Sequence, residues 1–317
     1  PKKHGYDVVD CIEAMHNNKV KIFMAMGGNF VSATPDTEYT AEAIQKCELT
    51  VHVSTKLNRS HLIPGVESII LPCISRTESD TQESGLQFIS VENSMGIVHR
   101  STGKFPPASN NLKSEPAIIA GVANSTFGEN SPVNWSEMVV NYDTVRNHIE
   151  ATIVGFDDYN RRVRQSGGFY LPNGAREGQF KTASDKARFT INPLPDQKVK
   201  DGNLIMMTIR SHDQYNTTIY GMDDRYRGVF NERRVVFIHP EDMKNLGLAK
   251  LDIVNLKSHF MGEVREAFNF KIIPYDIARG CVATYFPETN VLVPLKSFAN
   301  KSQTPVSKFV EIEISKV

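Results

Sequence analysis

Between Val20 and Pro72 the apolar and polar positions fall into blocks whose period changes twice. "VKIFMAM" is a nearly continuous apolar run, the pattern of a strand buried within a parallel sheet. After the turn Gly27-Gly28-Asn29, Pro35 suits a first helical position behind Thr34. Asp36 and Glu38 favour that end of the helix dipole, and Thr40, Ala43, Ile44 and Cys47 recur at helical spacing. "ELTVHVST" alternates as a second strand, and the polar "KLNRSHLIPG" leads to a third apolar run, "ESIILP". This β-α-β-α-β order predicts right-handed crossovers and a parallel sheet.

After Pro72 the pattern loosens. "CISRTESDTQESGLQFISVENSMGIVHRS" holds two short alternating runs among polar loops, and helical stretches follow around Glu115 to Ala123 and Trp135 to Ile153. A linker rich in Gly, Arg and Pro runs from "RRVRQSGGFYLPNGAREGQF" to "INPLPDQKVKDG", and a domain boundary is expected near Pro195. Beyond it the chain reads as short β-branched strands: "NLIMMTI", "RRVVFI", "LDIVNLKS", "NFKIIPY", "CVATYF" and "FVEIEI". A closed or nearly closed barrel is the economical arrangement. One helix interrupts it, with Pro240 at its start, Met243 and Leu246 facing inward, and Gly247 at its end. The expected fold class is therefore α/β: residues 1–195 form a partial parallel-sheet nucleotide-binding domain with a helical and loop extension, and residues 196–317 form a β-barrel.

Composition narrows the function. The 317 residues carry 36 Lys plus Arg against 36 Asp plus Glu, so no net field draws nucleic acid or an anionic membrane. Apolar runs such as Ser68 to Pro72 and Leu204 to Met207 fall far short of the roughly 20 residues of a membrane helix. Cys11, Cys47, Cys73 and Cys281 lie far apart, which speaks against a local zinc site or iron–sulfur cluster and fits free thiols in a reducing, cytoplasmic setting. No secretory leader is evident.

Four segments are candidates for chemistry. The first is Met26-Gly27-Gly28-Asn29, at the carboxyl end of a parallel strand, where open α/β sheets bind ligands. A bare turn is the alternative. Acidic residues in the following helical turn disfavour a phosphate there, leaving a base or a sugar hydroxyl. The second is "STKLNRSH", Ser54 to His61, with hydroxyls, an amide and basic groups on the same sheet edge, against the alternative of a solvated loop. The third is "IRSHDQYNTT", too rich in donors and acceptors for an ordinary hairpin turn. The fourth comprises Asn290, Thr304 and Lys308 near loop ends of the barrel. His212 beside Asp213 is not expected to act as a relay, because neighbours in a strand point to opposite faces. No P-loop, G-x-G-x-x-G or G-x-S-x-G is present, so an unrelated α/β enzyme with its own compact catalytic set is disfavoured.

Taken together, "KIFMAMGGNFVSATPDTEYTAEAIQKCELTVHVSTKLNRSHL", "ILPCISRTESD", "FYLPNGAREGQF", "TIRSHDQYNTTIYG", "HPEDMKNLGL" and "GCVATYFPETNVLVPL" resemble the carboxyl-terminal part of molybdopterin oxidoreductases, notably formate-dehydrogenase-like alpha subunits. The resemblance is collinear over essentially the whole chain. It implies a double-psi β-barrel as the molybdopterin-dinucleotide-binding domain, and a bis-molybdopterin guanine dinucleotide cofactor carrying molybdenum or tungsten. Met26, Gly27, Gly28, Asn29, Ser54, Thr55, Lys56 and Asn58 match loops that hold a guanosine end. Arg210, Ser211, Gln214, Asn216 and Thr217 match the barrel loop against pterin and phosphates. Asn290 and Lys308 match the closing segment, and Arg76 is carried over as well. No catalytic residue or metal ligand is assigned within the chain. The resemblance further implies a missing amino-terminal portion that supplies the metal ligand and any iron–sulfur cluster, so the chain is expected to be a fragment with an incomplete sheet. A small substrate such as formate and an electron-transfer partner would complete the system. A non-catalytic guanine-nucleotide-binding or assembly module of the same fold is the alternative.

Overall fold

The computed structural model describes residues 5–194, 199–215 and 220–317. The chain divides into two compact units, one made of residues 1–71 with 196–317 and the other of residues 72–195.

The first unit opens with α1 (Val8–His16), a helix absent from the sequence expectation, capped by Asp7 whose carboxylate accepts from the Val9 and Asp10 amides at 2.9 and 3.0 Å. Then come β1 (Ile22–Met26), α2 (Phe30–Ala33), α3 (Thr37–Gln45), β2 (Leu49–Ser54) and β3 (Glu67–Pro72). The strands form a sheet in the order β1-β2-β3, with β1 and β2 parallel and Ile22 opposite Leu49, Met26 opposite Val53. This register sends Phe23 toward the core that α1 and α3 build with Ile12, Met15, Ala43 and Ile44. Ile22, Met24 and Met26 take the opposite face, where they are 60, 37 and 42% exposed. β1 is thus covered on one face, not within a doubly buried sheet.

Two further expectations change here. The crossover from β2 to β3 holds a 3-10 turn, Arg59–Leu62, and no α-helix. Pro35 is not a first helical residue, because it lies between α2 and α3. Asp36 explains the break: its amide donates to the Asn290 and Val293 carbonyls at 3.0 and 2.9 Å, and it adopts a left-handed φ of 51°. Its carboxylate accepts from Arg265 Nη2 at 2.6 Å. Long-range partners, not local propensity, therefore set the start of α3.

Among its described residues the second unit contains two antiparallel sheets and four α-helices. β4 (Thr81–Gln82) pairs with β5 (Gly85–Leu86), and β6 (Ile89–Glu92) pairs with β7 (Ile97–Ser101). α4 (Glu115–Phe127) starts at a Ser114 cap. The helical stretch expected from Trp135 to Ile153 is two helices, α5 (Trp135–Val140) and α6 (Asp143–Thr152). Between them Asn141 is extended and its side chain accepts from the Asp143 amide at 2.9 Å, the local interaction by which Asn starts helices. α7 (Tyr159–Arg162) and β8 (Phe169–Tyr170) follow, and Tyr159, Val163, Phe169 and Val98 share a core.

The chain returns to the first unit with β9 (Leu204–Ile209), β10 (Val235–Ile238), α8 (Pro240–Asn245), β11 (Ile253–Phe260), β12 (Glu263–Pro274), β13 (Cys281–Tyr285) and β14 (Val310–Lys316). The six strands close into a barrel in the order β10-β12-β11-β14-β9-β13. Two neighbouring pairs, β9 with β13 and β10 with β12, are parallel, and the others are antiparallel. Met206, Val236, Ile238, Val254, Leu256, Phe270, Ile272, Val282 and Ile312 fill the interior. In α8 Met243 is buried as expected, but Leu246 is 38% exposed, and Leu248, beyond the Gly247 turn, packs on the core in its place. Among the described residues no helix is long and apolar enough to cross a membrane.

Candidate functional site

Two places in the first unit gather the residues that the sequence singles out. At the carboxyl edge of the sheet, β1 ends at Met26 and the chain turns through Gly27 and Gly28, both left-handed with φ of 65° and 70°. Such φ values favour glycine. The Gly28 carbonyl accepts from Asn58 Nδ2 at 2.7 Å, so this turn and the loop after β2 are joined directly. Asn29 caps α2: its Oδ1 accepts from the Ser32 amide at 3.4 Å and from Ser60 Oγ at 3.0 Å. Ser60 in turn receives the Val31 amide at 3.1 Å and is only 2% exposed. Ser54 donates to the Lys56 carbonyl at 3.0 Å, which curls the loop and leaves Thr55 and Lys56 exposed.

The Val31 and Ser32 amides at the start of α2 are therefore engaged by Ser60 and Asn29. The acidic residues invoked from sequence stand elsewhere: Asp36 heads α3 and is paired with Arg265. The sequence argument against phosphate thus had the wrong residues. His52 and His61 stack obliquely with centroids 4.8 Å apart, and the Nε2 of each is buried without a hydrogen-bond partner among the described residues. Burial, and then the neighbouring His61, lowers the pKa of His52.

The second place is the mouth of the barrel. A cavity of about 500 Å³ is lined by Thr208, Ile209, Arg210, Arg227, Phe286, Ser307 and Lys308. Three of these side chains are cationic and none is acidic. Lys308 Nζ donates to the Thr208 carbonyl. Burial, and then the Arg210 guanidinium, lowers its pKa. Among the described residues neither Arg210 nor Lys308 has a carboxylate partner. Unpaired cations facing a cavity suit an anion such as the phosphates of a dinucleotide, and their chemistry therefore fits the implied cofactor.

Two buried networks support this mouth. Arg233, 3% exposed, reaches Glu288 at 2.8 Å, Ser211 Oγ at 2.9 Å, Gln214 Oε1 at 2.9 Å and the Phe286 carbonyl at 2.9 Å, with its plane over Tyr220 and Tyr285. It locks the loop after β9 to the segment after β13. Asp224, 2% exposed, accepts from Arg227 at 2.6 Å, from Tyr285 Oη at 2.8 Å and pairs with His212 Nδ1 at 3.0 Å. Burial would raise the pKa of Asp224, but the hydrogen bonds from Tyr285, Arg227 and His212 hold it below the usual carboxylate value.

The structure brings Met26, Gly27, Gly28, Asn29, Ser54, Thr55, Lys56 and Asn58 together at the sheet edge. It brings Arg210 and Lys308 together at the barrel mouth. Ser211 and Gln214 are buried beneath that mouth on Arg233, and Asn216 and Thr217 lie outside the described residues. Asn290 is 2% exposed and donates to the Ser32 carbonyl at 2.8 Å, so it joins the barrel to α2. Arg76 lies in the second unit, exposed in the loop before β4. Sequence reasoning did not assign Ser60, Arg227, Arg233 or Asp224. "DDRYRG" carried a weak signal, acid and base three residues apart, but nothing local told which carboxylate would be buried. His212 does have a carboxylate partner, though it is Asp224 and not the adjacent Asp213, which lies 3.8 Å from Arg225.

Residues 204–311 match the family model of the Molydopterin dinucleotide binding domain. An uncharacterized oxidoreductase of Mycobacterium tuberculosis is 48% identical over 320 residues, covering 99% of this chain and 41% of that protein. Protein YdeP of Escherichia coli is 40% identical over 320 residues, covering 99% of this chain and 42% of its own length. The chain therefore spans less than half the length of these curated relatives. Among solved structures, acetylene hydratase from Pelobacter acetylenicus has a similar fold, with a TM-score of 0.60 at 13% identity, over 97% of this chain and 46% of that one. Residues 204–311, which hold most of the barrel, are thus similar to a molybdopterin dinucleotide-binding domain, and nearly the whole chain is similar to part of a longer protein named as an oxidoreductase.

Proposed function

We propose that this chain is the cofactor-holding, carboxyl-terminal portion of a molybdopterin-dependent oxidoreductase that binds bis-molybdopterin guanine dinucleotide. The cavity of about 500 Å³ carries the proposal, because it lies within the matched segment and its Arg210 and Lys308 have no carboxylate partner among the described residues. When bound, the cofactor supplies two-electron redox chemistry through molybdenum or tungsten, and the protein binds and orients it. Arg210 and Lys308 would hold phosphates and Ser211 and Gln214 would shape the loop beneath them. Asn29, Asn58 and the exposed Thr55 and Lys56 would meet the guanosine end. Engagement of the amides at the start of α2 supports a base or ribose there over a phosphate. The two parallel strand pairs support a double-psi reading of the barrel.

In this reading the chain works as part of a longer polypeptide, a proposal supported by its spanning 41% of a 48% identical relative. The remainder would supply the metal ligand and any iron–sulfur cluster. The substrate would be formate or another small molecule, with electrons passed to a separate partner. The test is the molybdenum and guanine nucleotide content of the full-length polypeptide, purified after anaerobic expression with molybdate. Two guanine nucleotides are expected for each molybdenum, as a bis-dinucleotide cofactor requires. Guanine nucleotide without metal or pterin would favour the non-catalytic nucleotide module, and absence of both would overturn the proposal.

A further inference from the structure

We propose that the second unit carries a binding site for a phosphate monoester, in the cavity between β7 and the loop that follows α7. Every residue involved belongs to that unit. The cavity arises because β7 is paired unequally on its two sides. β6 runs along it from Ile97 to Ser101, whereas β8 meets only Ile97 and Val98. Past that point the chain arriving from α7 lies against the free edge of β7: a Cβ on Gly168 would stand 2.0 Å from the Val98 carbonyl oxygen and 2.9 Å from the His99 Cβ. Gly167 and Gly168 are both left-handed, with φ of 81° and 71°. The space left over, about 590 Å³, has the size of a small-molecule site. Its walls include Asn93, Arg100, Arg164, Ser166 and Gly167, and among the described residues no carboxylate lines it.

The lining is rich in donors that the fold leaves unused. Among the described residues the Arg100 guanidinium makes no hydrogen bond or ion pair, and the Ser166 hydroxyl and the Ser166 and Gly167 amides make no hydrogen bond. Arg164 meets both oxygens of Asp143 at 2.7 Å, but Asp143 also pairs with Arg146, so one carboxylate serves two guanidiniums and positive charge remains. A tetrahedral oxyanion matches this set. A guanidinium fork takes two of its oxygens, and successive amides beside left-handed glycines take another. A carboxylate offers only two oxygens. The volume exceeds that of a bare phosphate, and Ile97 and the Gln165 side chain also line it, which suits an organic group attached to the phosphate.

Glycerol 3-phosphate and inorganic phosphate are the probes, titrated calorimetrically into the full-length polypeptide, with hydrogen exchange read by mass spectrometry on the same samples. The monoester should bind more tightly than phosphate and slow exchange at residues 164–168. Arg100→Gln should weaken it about tenfold to a hundredfold, as loss of a charged hydrogen bond implies, and Arg100→Lys, which keeps the charge without the fork, should fall between. Because Arg100 bonds nothing in the fold, both variants should melt where wild type does. Affinity unchanged in Arg100→Gln, protection that spares residues 164–168, or equal affinity for the two probes would each overturn the proposal. So would absence of binding, whatever molybdenum the same preparation holds, which keeps this failure separate from that of the cofactor reading.

Discussion

Lys308 and Arg210 sit at the same cavity with no carboxylate partner among the described residues, and that arrangement decides how the site responds to pH. Burial and Arg210 lower the Lys308 pKa, so this ammonium loses its proton below the ordinary 10.5. Anion affinity should be full at neutral pH and should fall on the alkaline side earlier than a free lysine would allow. Calorimetric titration of pyrophosphate between pH 7 and 10 measures this, and Lys308→Met should flatten the profile while weakening binding roughly tenfold to a hundredfold, as expected for one charged hydrogen bond. Gly28 poses a different question. A Cβ there meets nothing within 4 Å, yet φ is +70°. Gly28→Val should therefore cost stability through backbone strain alone, about 1–2 kcal/mol, as a β-branched residue in the left-handed region does. Chemical denaturation reads the loss, and an unchanged midpoint would refute it.

At the scale of elements, the start of α3 is held by Asp36 against Arg265, whose side chains are only 7 and 10% exposed. Arg265 also reaches Glu263 at 2.6 Å through the same Nη2, leaving Nε and Nη1 buried without hydrogen-bond partners among the described residues. Asp36→Ala would leave the guanidinium to the half-exposed Glu263, and a loss of about 1–3 kcal/mol, that of a charged hydrogen bond, is expected in denaturant melts. His52 governs the other side of this layer. Its pKa lies below the ordinary 6.5, so the unfolded chain takes up a proton first as pH falls. Its contribution is intact above pH 6.5 and is lost progressively below, at up to about 1.4 kcal/mol per pH unit. His52→Leu should reduce the slope of stability between pH 6.5 and 5. These same elements mark what a sequence can reveal. β1, β2, α8 and the barrel strands announce themselves because periodicity and caps are local. The break at Pro35, the 3-10 turn replacing a crossover helix, and the pairing of His212 with Asp224 depend on partners 12 to 259 residues away. The glycine turn and the loop after β2 were legible as candidates, whereas Arg227 and Arg233 acquire meaning only when the barrel closes over them.

At the scale of the whole molecule, 36 basic and 36 acidic residues cancel, so recognition must come from local groupings such as the barrel mouth, and from apolar surface. The sheet supplies that surface. Parallel sheets are normally covered on both faces, yet Ile22, Met24 and Met26, which share one face of β1, are 60, 37 and 42% exposed. Apolar patches of this kind rarely stand open on a folded monomer, because each removed square ångström from water is worth roughly 25 cal/mol. The native chain should bind a hydrophobic fluorescent dye such as anilinonaphthalene sulfonate under conditions where it is fully folded. Ile22→Thr combined with Met24→Thr should remove most of that fluorescence while leaving the melting midpoint nearly unchanged, since neither side chain contributes to the core on the α1 and α3 side. Dye binding that survives the double substitution would locate the exposed apolar surface elsewhere. If the proposed longer polypeptide supplies a cover for this face, the same dye should bind weakly to it, so that comparing the two proteins tests the cover independently of any cofactor.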